Sequence, residues 1–218
     1  MKALLIGATG ATGKDLLELL LKDGDIQQVD VFTRRQLGIS HEKLCAHIIN
    51  FDKPEEWRSL VVGDVLFSCL GTTQKAAGSK EAQWKVDYEY QYRFAKIAKE
   101  NGVPQYVLVS SESASAKSPF FYMKMKGQLE DAVKMLDFSK LIIFNPPLLS
   151  RENSDRKGEI IGEKLINLFN KIGLFRSLKP LSTKLLAEAM LKSVKTLRNG
   201  TYAIKGQKIK AKIVAASP

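Results

Sequence analysis

The sequence predicts an α/β protein: a doubly wound, mostly parallel sheet covered by helices, with a small C-terminal annex. Two observations support this fold class. Strand-like apolar runs alternate with amphipathic segments as far as Phe144, and a glycine-rich turn joins the first apolar run to the first amphipathic segment. A chain of 218 residues can bury a sizeable core. We therefore expect a single domain over residues 1–218, with the annex spanning 148–218.

The predicted strands are short runs of apolar or β-branched residues, each bounded by glycine, proline or polar residues. A further one or two short strands are expected within Thr201–Lys212. The principal runs, in chain order, are Lys2–Ile6, Gln28–Thr33, Ala46–Asn50, Asp64–Cys69, Gln105–Val109 and Lys140–Phe144.

Helices are predicted where apolar residues recur at three- and four-residue intervals among charged ones. Ser79 is expected to cap the longest of them, and Pro119 suits the first turn of another. Arg151–Lys157 is predicted to be a loop. The predicted helices are Lys14–Lys22, Pro54–Leu60, Lys80–Asn101, Pro119–Leu136, Gly158–Lys171 and Ser182–Thr196.

The composition excludes several classes of protein. The net charge is +11, but the basic residues are spread along the chain, which favours a solvated surface over nucleic-acid binding. Two cysteines and two histidines exclude a disulfide scaffold and leave few metal ligands, so no metal site is expected. No apolar run approaches the roughly 18 residues of a membrane span or forms a signal-peptide core. These features predict a cytosolic protein without a membrane or nucleic-acid partner.

The most informative motif is the turn Gly7-Ala8-Thr9-Gly10-Ala11-Thr12-Gly13, which follows the first strand and opens the first helix. Glycines there let backbone N–H groups approach a pyrophosphate, and the helix N-terminus adds partial positive charge. This context indicates a Rossmann dinucleotide-binding site rather than a plain strand–turn–helix connection. The residues expected to contact the cofactor at this turn are Gly7, Thr9, Gly10, Ala11, Thr12 and Gly13.

The end of the second strand indicates which cofactor is bound. Arg34 and Arg35 stand where an acidic residue would hold a ribose 2′-hydroxyl, and a guanidinium matches a 2′-phosphate instead. Asp30 lies inside the strand, too early for the ribose role. We therefore expect NADP(H), with two solvated arginines as the alternative interpretation.

A candidate catalytic set follows the fifth strand. Tyr122 and Lys126 lie four residues apart on one helix face, and Ser110 and Ser111 end the preceding strand. The phenol would exchange a proton with a substrate oxygen that the serine orients. The lysine is expected to lower the phenol pKa and to hold the nicotinamide ribose. The alternative is a surface lysine beside a half-buried tyrosine.

Together these motifs resemble the short-chain dehydrogenase/reductase superfamily, in its extended or atypical branch of NmrA-like and epimerase-like NAD(P)-binding proteins. The chain is most similar to the NADPH-binding proteins related to the human Tat-interacting metastasis suppressor. The resemblance covers almost the whole chain. It rests on Gly7–Gly13, Cys69–Thr73, Tyr122–Gly127 and Phe144–Leu148.

The resemblance implies further contacts on the adenosine side of the cofactor. Asp52, in the family's position after the third strand, would reach the adenine. Leu70, Gly71 and Thr72, in the glycine-containing end of the fourth strand, would pass the adenosine ribose. Tyr122 and Lys126 would also contact the cofactor.

On the catalytic side, the resemblance aligns the family's serine with Ser111, while Ser110 stays an alternative. The arginine-proline-glycine that the family carries after the sixth strand is here Asn145-Pro146-Pro147. This implies that Pro146 borders the nicotinamide pocket.

The resemblance implies an NADP(H)-dependent oxidoreductase that acts on a small-molecule carbonyl or alcohol, with the annex on the substrate side. Two alternatives belong to the same superfamily: a non-catalytic NADPH-binding redox sensor, and a nucleotide-sugar epimerase or dehydratase. The expected assembly is a monomer or a homodimer.

Overall fold

The computed structural model describes residues 1–150, 180–206 and 208–214. The predicted loop Arg151–Lys157 and helix Gly158–Lys171 lie outside the described residues. The strands within these ranges are β1 (Lys2–Ile6), β2 (Gln28–Thr33), β3 (Leu44–Ile48), β4 (Val65–Ser68), β5 (Gln105–Val109), β6 (Lys140–Asn145), β7 (Leu149–Ser150), β8 (Leu181–Ser182) and β9 (Gly200–Lys205).

Within the described residues, seven strands form one sheet in the order β3-β2-β1-β4-β5-β6-β9, and all neighbouring pairs are parallel. The first six positions have the Rossmann order, so the predicted doubly wound sheet is confirmed. The strand order reverses between β1 and β4, which opens a crevice at the carboxyl ends of these two strands. The short strands β7 and β8 pair with each other apart from this sheet.

Helices cover both faces of the sheet. The helix predicted over Lys80–Asn101 contains a π-helical turn, Lys85–Glu89, and Ser79 caps it by accepting a hydrogen bond from the Ala82 N–H at 3.0 Å. The predicted helix Pro54–Leu60 consists of two 3₁₀ turns that meet at Trp57. The α-helices are α1 (Ala11–Lys22), α2 (Gln74–Ala77), α3 (Lys80–Trp84), α4 (Tyr90–Glu100), α5 (Phe121–Lys134), α6 (Thr183–Thr196) and α7 (Lys208–Val214).

Two apolar layers hold the helices against the sheet. Alternate residues of β1 point to opposite faces, so Leu5 packs with α1 and α6, and Leu4 packs with α4 and α5. The central strands are buried on both faces, which is why they read as continuous apolar runs. None of the helices in the described ranges combines the length and apolarity needed to cross a bilayer.

The C-terminal region adds one strand to the main sheet and one helix that packs beside α1. β9 pairs with β6, and α6 packs against α1. Of the one or two short strands predicted within Thr201–Lys212, the described residues contain one, β9. The chain turns at Gly206, with φ +52°, and continues as α7.

Candidate active site

Two of the three glycines in the β1–α1 turn are required by backbone packing. Gly7 has φ +85°, and a Cβ there would lie 2.4 Å from the carbonyl carbon of Cys69. A Cβ on Gly13 would lie 2.1 Å from the carbonyl oxygen of Gly7. Gly10 has an ordinary φ of −76°, and its nearest neighbour would be 3.3 Å away. A Cβ on Gly10 would make a tight contact without a collision, so backbone packing requires a glycine at Gly7 and Gly13 but not at Gly10.

The first turn of α1 presents backbone N–H groups beside Gly10 that have no hydrogen-bond partner within the described residues. Gly10 is the N-cap residue of α1, and as a glycine it has no side chain that could cap the helix. The first turn of α1 contains no acidic residue. The N–H of Lys14 bonds to the carbonyl of Gly10 at 2.9 Å, which leaves the N–H groups of Ala11, Thr12 and Gly13 without intrahelical partners. Such a helix N-terminus favours an anion by geometry and by the helix dipole.

A groove runs from this turn across the ends of β2 and β4. Arg34 and Arg35 are exposed on its wall, and no acidic side chain pairs with either of them within the described residues. Asp30 is buried, and its carboxylate binds Lys2 and Gln28 instead. The groove is lined by Gly7, Ala8, Thr9, Phe32, Thr33, Arg34, Arg35, Phe51 and Leu70.

Asp52 lies beside this groove, next to Phe51. Its carboxylate pairs with Lys85, with 2.8 Å between Oδ1 and Nζ, and accepts a hydrogen bond from the Tyr90 hydroxyl at 3.1 Å. The hydrogen bond from Lys85 is the main reason why the pKa of Asp52 lies below its usual value. The implied contact of Asp52 with the adenine stays a prediction, and an oxygen already bound to Lys85 would have to make it.

A buried ion pair lies under the candidate catalytic helix. The Nζ of Lys126 on α5 is 3.1 Å from Oδ1 of Asp87, and the two side chains are only 3% and 1% exposed. Burial opposes the charge of Lys126, but Asp87 and Tyr122 outweigh that effect and raise its pKa. Lys126 is therefore held as an ammonium ion. The sequence reasoning missed Asp87 entirely.

Asp87 belongs to a row of buried polar residues that fixes the end of β4. Its Oδ2 accepts the Thr72 N–H at 2.8 Å, and Gln83 Nε2 donates to the Thr72 carbonyl at 3.1 Å. Gln91 accepts from the Ser68 hydroxyl at 2.7 Å and donates to the Asp87 carbonyl. The segment that contains Leu70, Gly71 and Thr72 is thus positioned by helix side chains. Gln83, Asp87 and Gln91 are spaced four residues apart, and this spacing is the sequence signal that could have identified the row.

Tyr122 lies half-buried in the first turn of α5. Burial raises the pKa of its phenol, the Lys126 charge lowers it, and Asp87 raises it again. The net pKa lies above the ordinary value of 10.0. The lowering of the phenol pKa that was expected from Lys126 is present, but desolvation and the charge of Asp87 together outweigh it. In the structure, the phenol keeps its proton at neutral pH.

The two candidate serines have different surroundings. Ser110 is buried, and its hydroxyl donates to Glu130, which also accepts the Asn145 side-chain amide at 2.6 Å. Ser111 is half-buried, and no hydrogen bond engages its hydroxyl within the described residues, although its carbonyl accepts from Asn145. The geometry thus leaves the Ser111 hydroxyl available and commits that of Ser110 to the interior.

Gly127 allows the loop between β5 and α5, which contains Ser111, to pack closely against α5. A Cβ at this position would lie 2.1 Å from the backbone nitrogen of Ala116. The N–H of Ser115 also donates to the Met123 carbonyl at 3.0 Å. The glycine that follows the Tyr-x-x-x-Lys spacing is therefore needed for loop and helix to pack this closely.

The end of β6 differs from the family pattern in a way that the structure explains. Asn145 replaces the family's arginine and is buried, with its amide bridging Glu130 and the Ser111 carbonyl. Pro146 is buried next to it, and its carbonyl accepts from the Glu112 N–H at 3.0 Å. These contacts tie the ends of β5 and β6 together. The implied contact of Pro146 with the nicotinamide stays a prediction.

The residues present fit a dinucleotide. The turn at Gly10 offers backbone donors to a pyrophosphate, and Arg34 and Arg35 are exposed cations on the groove wall that have no acidic partner within the described residues. Tyr122 and Lys126 lie on α5, the helix that follows the carboxyl end of β5 in the chain.

Comparison with known proteins agrees with this geometry. A family model described as NAD(P)H-binding matches residues 7–157. The chain belongs to this NAD(P)H-binding family. Similar relatives include Protein FMP52, mitochondrial, of Candida albicans, which is 35% identical over 188 residues, 83% of this chain and 82% of the relative. The protein of the same name from Saccharomyces cerevisiae is 38% identical over 72% of this chain and 71% of the relative.

Several solved structures share the fold of this chain. UDP-glucose 4-epimerase of Thermotoga maritima, solved with UDP-glucose, has a TM-score of 0.72 and 12% identity, and the match covers 100% of this chain and 84% of that one. The oxidoreductase ylbE of Lactococcus lactis has a TM-score of 0.67 and 19% identity, over 99% and 96% of the two chains. At these identities the likeness shows the fold alone.

The names of the relatives correct one expectation. Proteins from several fungi that match most of this chain are named as mitochondrial. The cytosolic location expected from the sequence is therefore wrong. It rested on the lack of a secretory signal core, which reports on secretion and not on import into an organelle.

Proposed function

We propose that this NAD(P)H-binding protein is a mitochondrial, NADP(H)-dependent oxidoreductase that interconverts a small-molecule carbonyl and its alcohol. The observation that carries the proposal is the Asp87–Lys126 ion pair, buried beside Tyr122 at the edge of the sheet that also holds the glycine turn. A bound nicotinamide would supply or accept the hydride. The location follows from the mitochondrial names of the relatives.

The chain's own residues are suited to the proton transfer. Tyr122 is protonated at neutral pH, so it can donate its proton to a carbonyl oxygen as that oxygen gains charge. The Lys126 ammonium would stabilise the phenolate that remains, and the Ser111 hydroxyl would donate a hydrogen bond to the same substrate oxygen. Asp87 positions Lys126 and keeps it charged. These states favour reduction of a carbonyl over oxidation of an alcohol.

The preference for NADP(H) rests on charge. Arg34 and Arg35 follow β2 on the groove wall, and they have no acidic partner among the described residues. The acid that might have held a ribose 2′-hydroxyl, Asp30, is buried and paired with Lys2. Two guanidinium groups without an acidic partner in the described part of the chain, together with the burial of Asp30, favour a cofactor with a 2′-phosphate.

The decisive experiment removes the phenol oxygen. Oxidation of NADPH is first followed with a panel of aldehydes, ketones and quinones to find a substrate. Tyr122→Phe should then lower turnover roughly 10²–10⁴-fold, as for a lost general acid, with little change in NADPH affinity. Tyr88→Phe is the matched control, because Tyr88 is a half-buried tyrosine that stacks between Trp84 and Tyr92, and it should keep full turnover.

The pH profile gives a second readout. Because the protonated phenol is the active form, reduction should stay level as the pH rises through neutrality and fall only above pH 10.0. Full turnover in Tyr122→Phe would remove this residue from the mechanism. Tight NADPH binding without turnover on the whole panel would refute the oxidoreductase and favour a redox-sensing regulator.

A further inference from the structure

A second group of reactive side chains lies on β2 and β3, outside the cofactor groove. In the parallel register of these strands, Asp30 is opposite Cys45, and Phe32 is opposite His47. Residues two apart on a strand share a face, so Asp30, Cys45 and His47 project from the same side of the sheet. One oxygen, the sulfur and one ring nitrogen of these residues all lie within 4.8 Å of one another.

We propose that Asp30, Cys45 and His47 form a binding site for a divalent transition-metal ion of the zinc class. Thiolate sulfur, imidazole nitrogen and carboxylate oxygen are the ligands that zinc takes in proteins. Bond lengths of about 2.0–2.3 Å put tetrahedral ligand atoms roughly 3–4 Å apart. The donor atoms, now within 4.8 Å of one another, therefore need to draw together by up to about 1–2 Å. Cys45 can make this adjustment because it is exposed on the edge strand.

The state of His47 supports the proposal. Its Nε2 is buried, has no hydrogen-bond partner within the described residues, and lies 3.3 Å from Oδ2 of Asp30. The ring is held in place by stacking on Phe32, with 4.8 Å between the ring centroids. A buried ring nitrogen without a hydrogen bond is unfavourable, and coordination would satisfy it.

A lysine ammonium stands beside the proposed site. Lys2 Nζ is 2.9 Å from Oδ2 of Asp30, and Gln28 Nε2 donates to Oδ1 at 2.6 Å. A metal ion would displace the ammonium, whose flexible side chain is 31% exposed and can turn to solvent. Gln28 would stay as an outer partner that orients the carboxylate. A dication with one thiolate and one carboxylate is electrically neutral, so the exchange leaves no buried charge unpaired.

Binding would join the edge strand β3 to β2. Local sequence patterns do not predict this site, because its ligands come from two strands whose alignment depends on the register.

The experiment uses the full chain, stripped of metal with a chelator. Co²⁺ is titrated in, and the sulfur-to-cobalt charge-transfer band and the visible bands of tetrahedral Co²⁺ are recorded. Zn²⁺ should then displace the cobalt. We expect one Co²⁺ per chain, with a charge-transfer band that Cys45→Ser abolishes. His47→Gln and Asp30→Asn should weaken Zn²⁺ binding at least as much as the roughly 10–100-fold typical of lost outer partners.

Three further variants sharpen the test. Lys2→Gln should tighten Zn²⁺ binding, because it removes the ammonium that competes for Asp30. A cluster with only a structural role would show no such gain in affinity. Cys69→Ala and His41→Gln are the matched controls and should keep the band. Cys69 is no ligand, since burial raises the pKa of its thiol to about 12, and His41 is exposed on a loop.

Circular dichroism of the metal-free proteins checks folding. Cys45 and Lys2 are both accessible to solvent, so Cys45→Ser and Lys2→Gln should fold even if Asp30→Asn does not. The proposal is overturned if the unaltered protein shows no charge-transfer band. It is equally overturned if Cys45→Ser binds Zn²⁺ with unaltered affinity.

Discussion

The glycine turn and the α5 site lie at the same edge of the sheet but are held together by different forces. At the turn, backbone meets backbone: Gly7 and Gly13 permit contacts in which any Cβ would lie less than 2.5 Å from a neighbouring atom. At α5, the contact is between buried charges, Lys126 and Asp87. The cations beside the turn, Arg34 and Arg35, are by contrast exposed.

This difference predicts how each region fails. A backbone contact is lost by adding atoms, which strains the chain whatever their chemistry. A buried ion pair is lost by removing one partner, which leaves an uncompensated charge in a dry site. An exposed arginine can be removed with little effect on the fold, so its loss should appear only in ligand affinity.

We expect the largest loss of stability from removing one partner of the Asp87–Lys126 ion pair. Asp87→Ala leaves the Lys126 ammonium buried and the Thr72 N–H without its acceptor. We expect a loss of about 3–5 kcal/mol in the free energy of unfolding, measured by urea titration. Asp87→Asn should lose less, because an amide oxygen can still accept from Thr72.

The double variant Asp87→Asn, Lys126→Met removes both charges. It should recover most of the stability but none of the catalytic activity, which separates packing from function. A loss below about 1 kcal/mol in Asp87→Ala would show that water reaches the pair and that the comparison with the turn is wrong.

The second effect contrasts two glycines of the same turn. Gly7→Ala combines a positive φ with a backbone collision, and strain of this kind costs roughly 2–4 kcal/mol of unfolding free energy. Gly10→Ala meets only a 3.3 Å contact at an ordinary φ, so the protein should stay folded while NADPH affinity falls. Thermal unfolding and a fluorescence titration with NADPH measure the two effects. Equal destabilisation by both variants would mean that Gly10 also serves only the backbone.

The third effect concerns affinity alone. The double variant Arg34→Ala, Arg35→Ala should weaken NADPH binding by about 10- to 100-fold, as for lost charge-assisted hydrogen bonds, and leave NADH binding nearly unchanged. Calorimetry with both cofactors measures this directly. Lys53→Ala is the control, because Lys53 is an exposed lysine paired with Glu56 that does not line the groove. Equal affinity of the unaltered protein for NADPH and NADH would refute the assignment of NADP(H).

Much of this architecture is predictable from local sequence. The bounds of β1, β2 and β5 agree with the prediction, because strands of a parallel sheet are buried on both faces and form continuous apolar runs. The glycine turn is also local, since its chemistry lies within seven consecutive residues, Gly7–Gly13.

The polar side of the site was not predictable in the same way. Trp84, Tyr88 and Tyr92 form an aromatic row at helical spacing, which suggests a buried face, yet these rings are half-buried and stack on one another. The fully buried row next to them is polar and contains Asp87. Hydrophobic periodicity cannot find such a row, because its hydrogen-bond partners belong to β4 and α5.

The smallest effect distinguishes the two serines. Ser110→Ala removes one of two donors to the buried Glu130, and Asn145 still donates to the same oxygen, so we expect a loss of only about 1 kcal/mol in unfolding free energy. Ser111→Ala removes a hydroxyl without a partner among the described residues and should leave stability unchanged. The effects on carbonyl reduction should be the reverse, with a large loss in Ser111→Ala and a minor one in Ser110→Ala. If Ser110→Ala alone abolished turnover at unchanged stability, the catalytic serine would be Ser110, and its bond to Glu130 would have to open during the reaction.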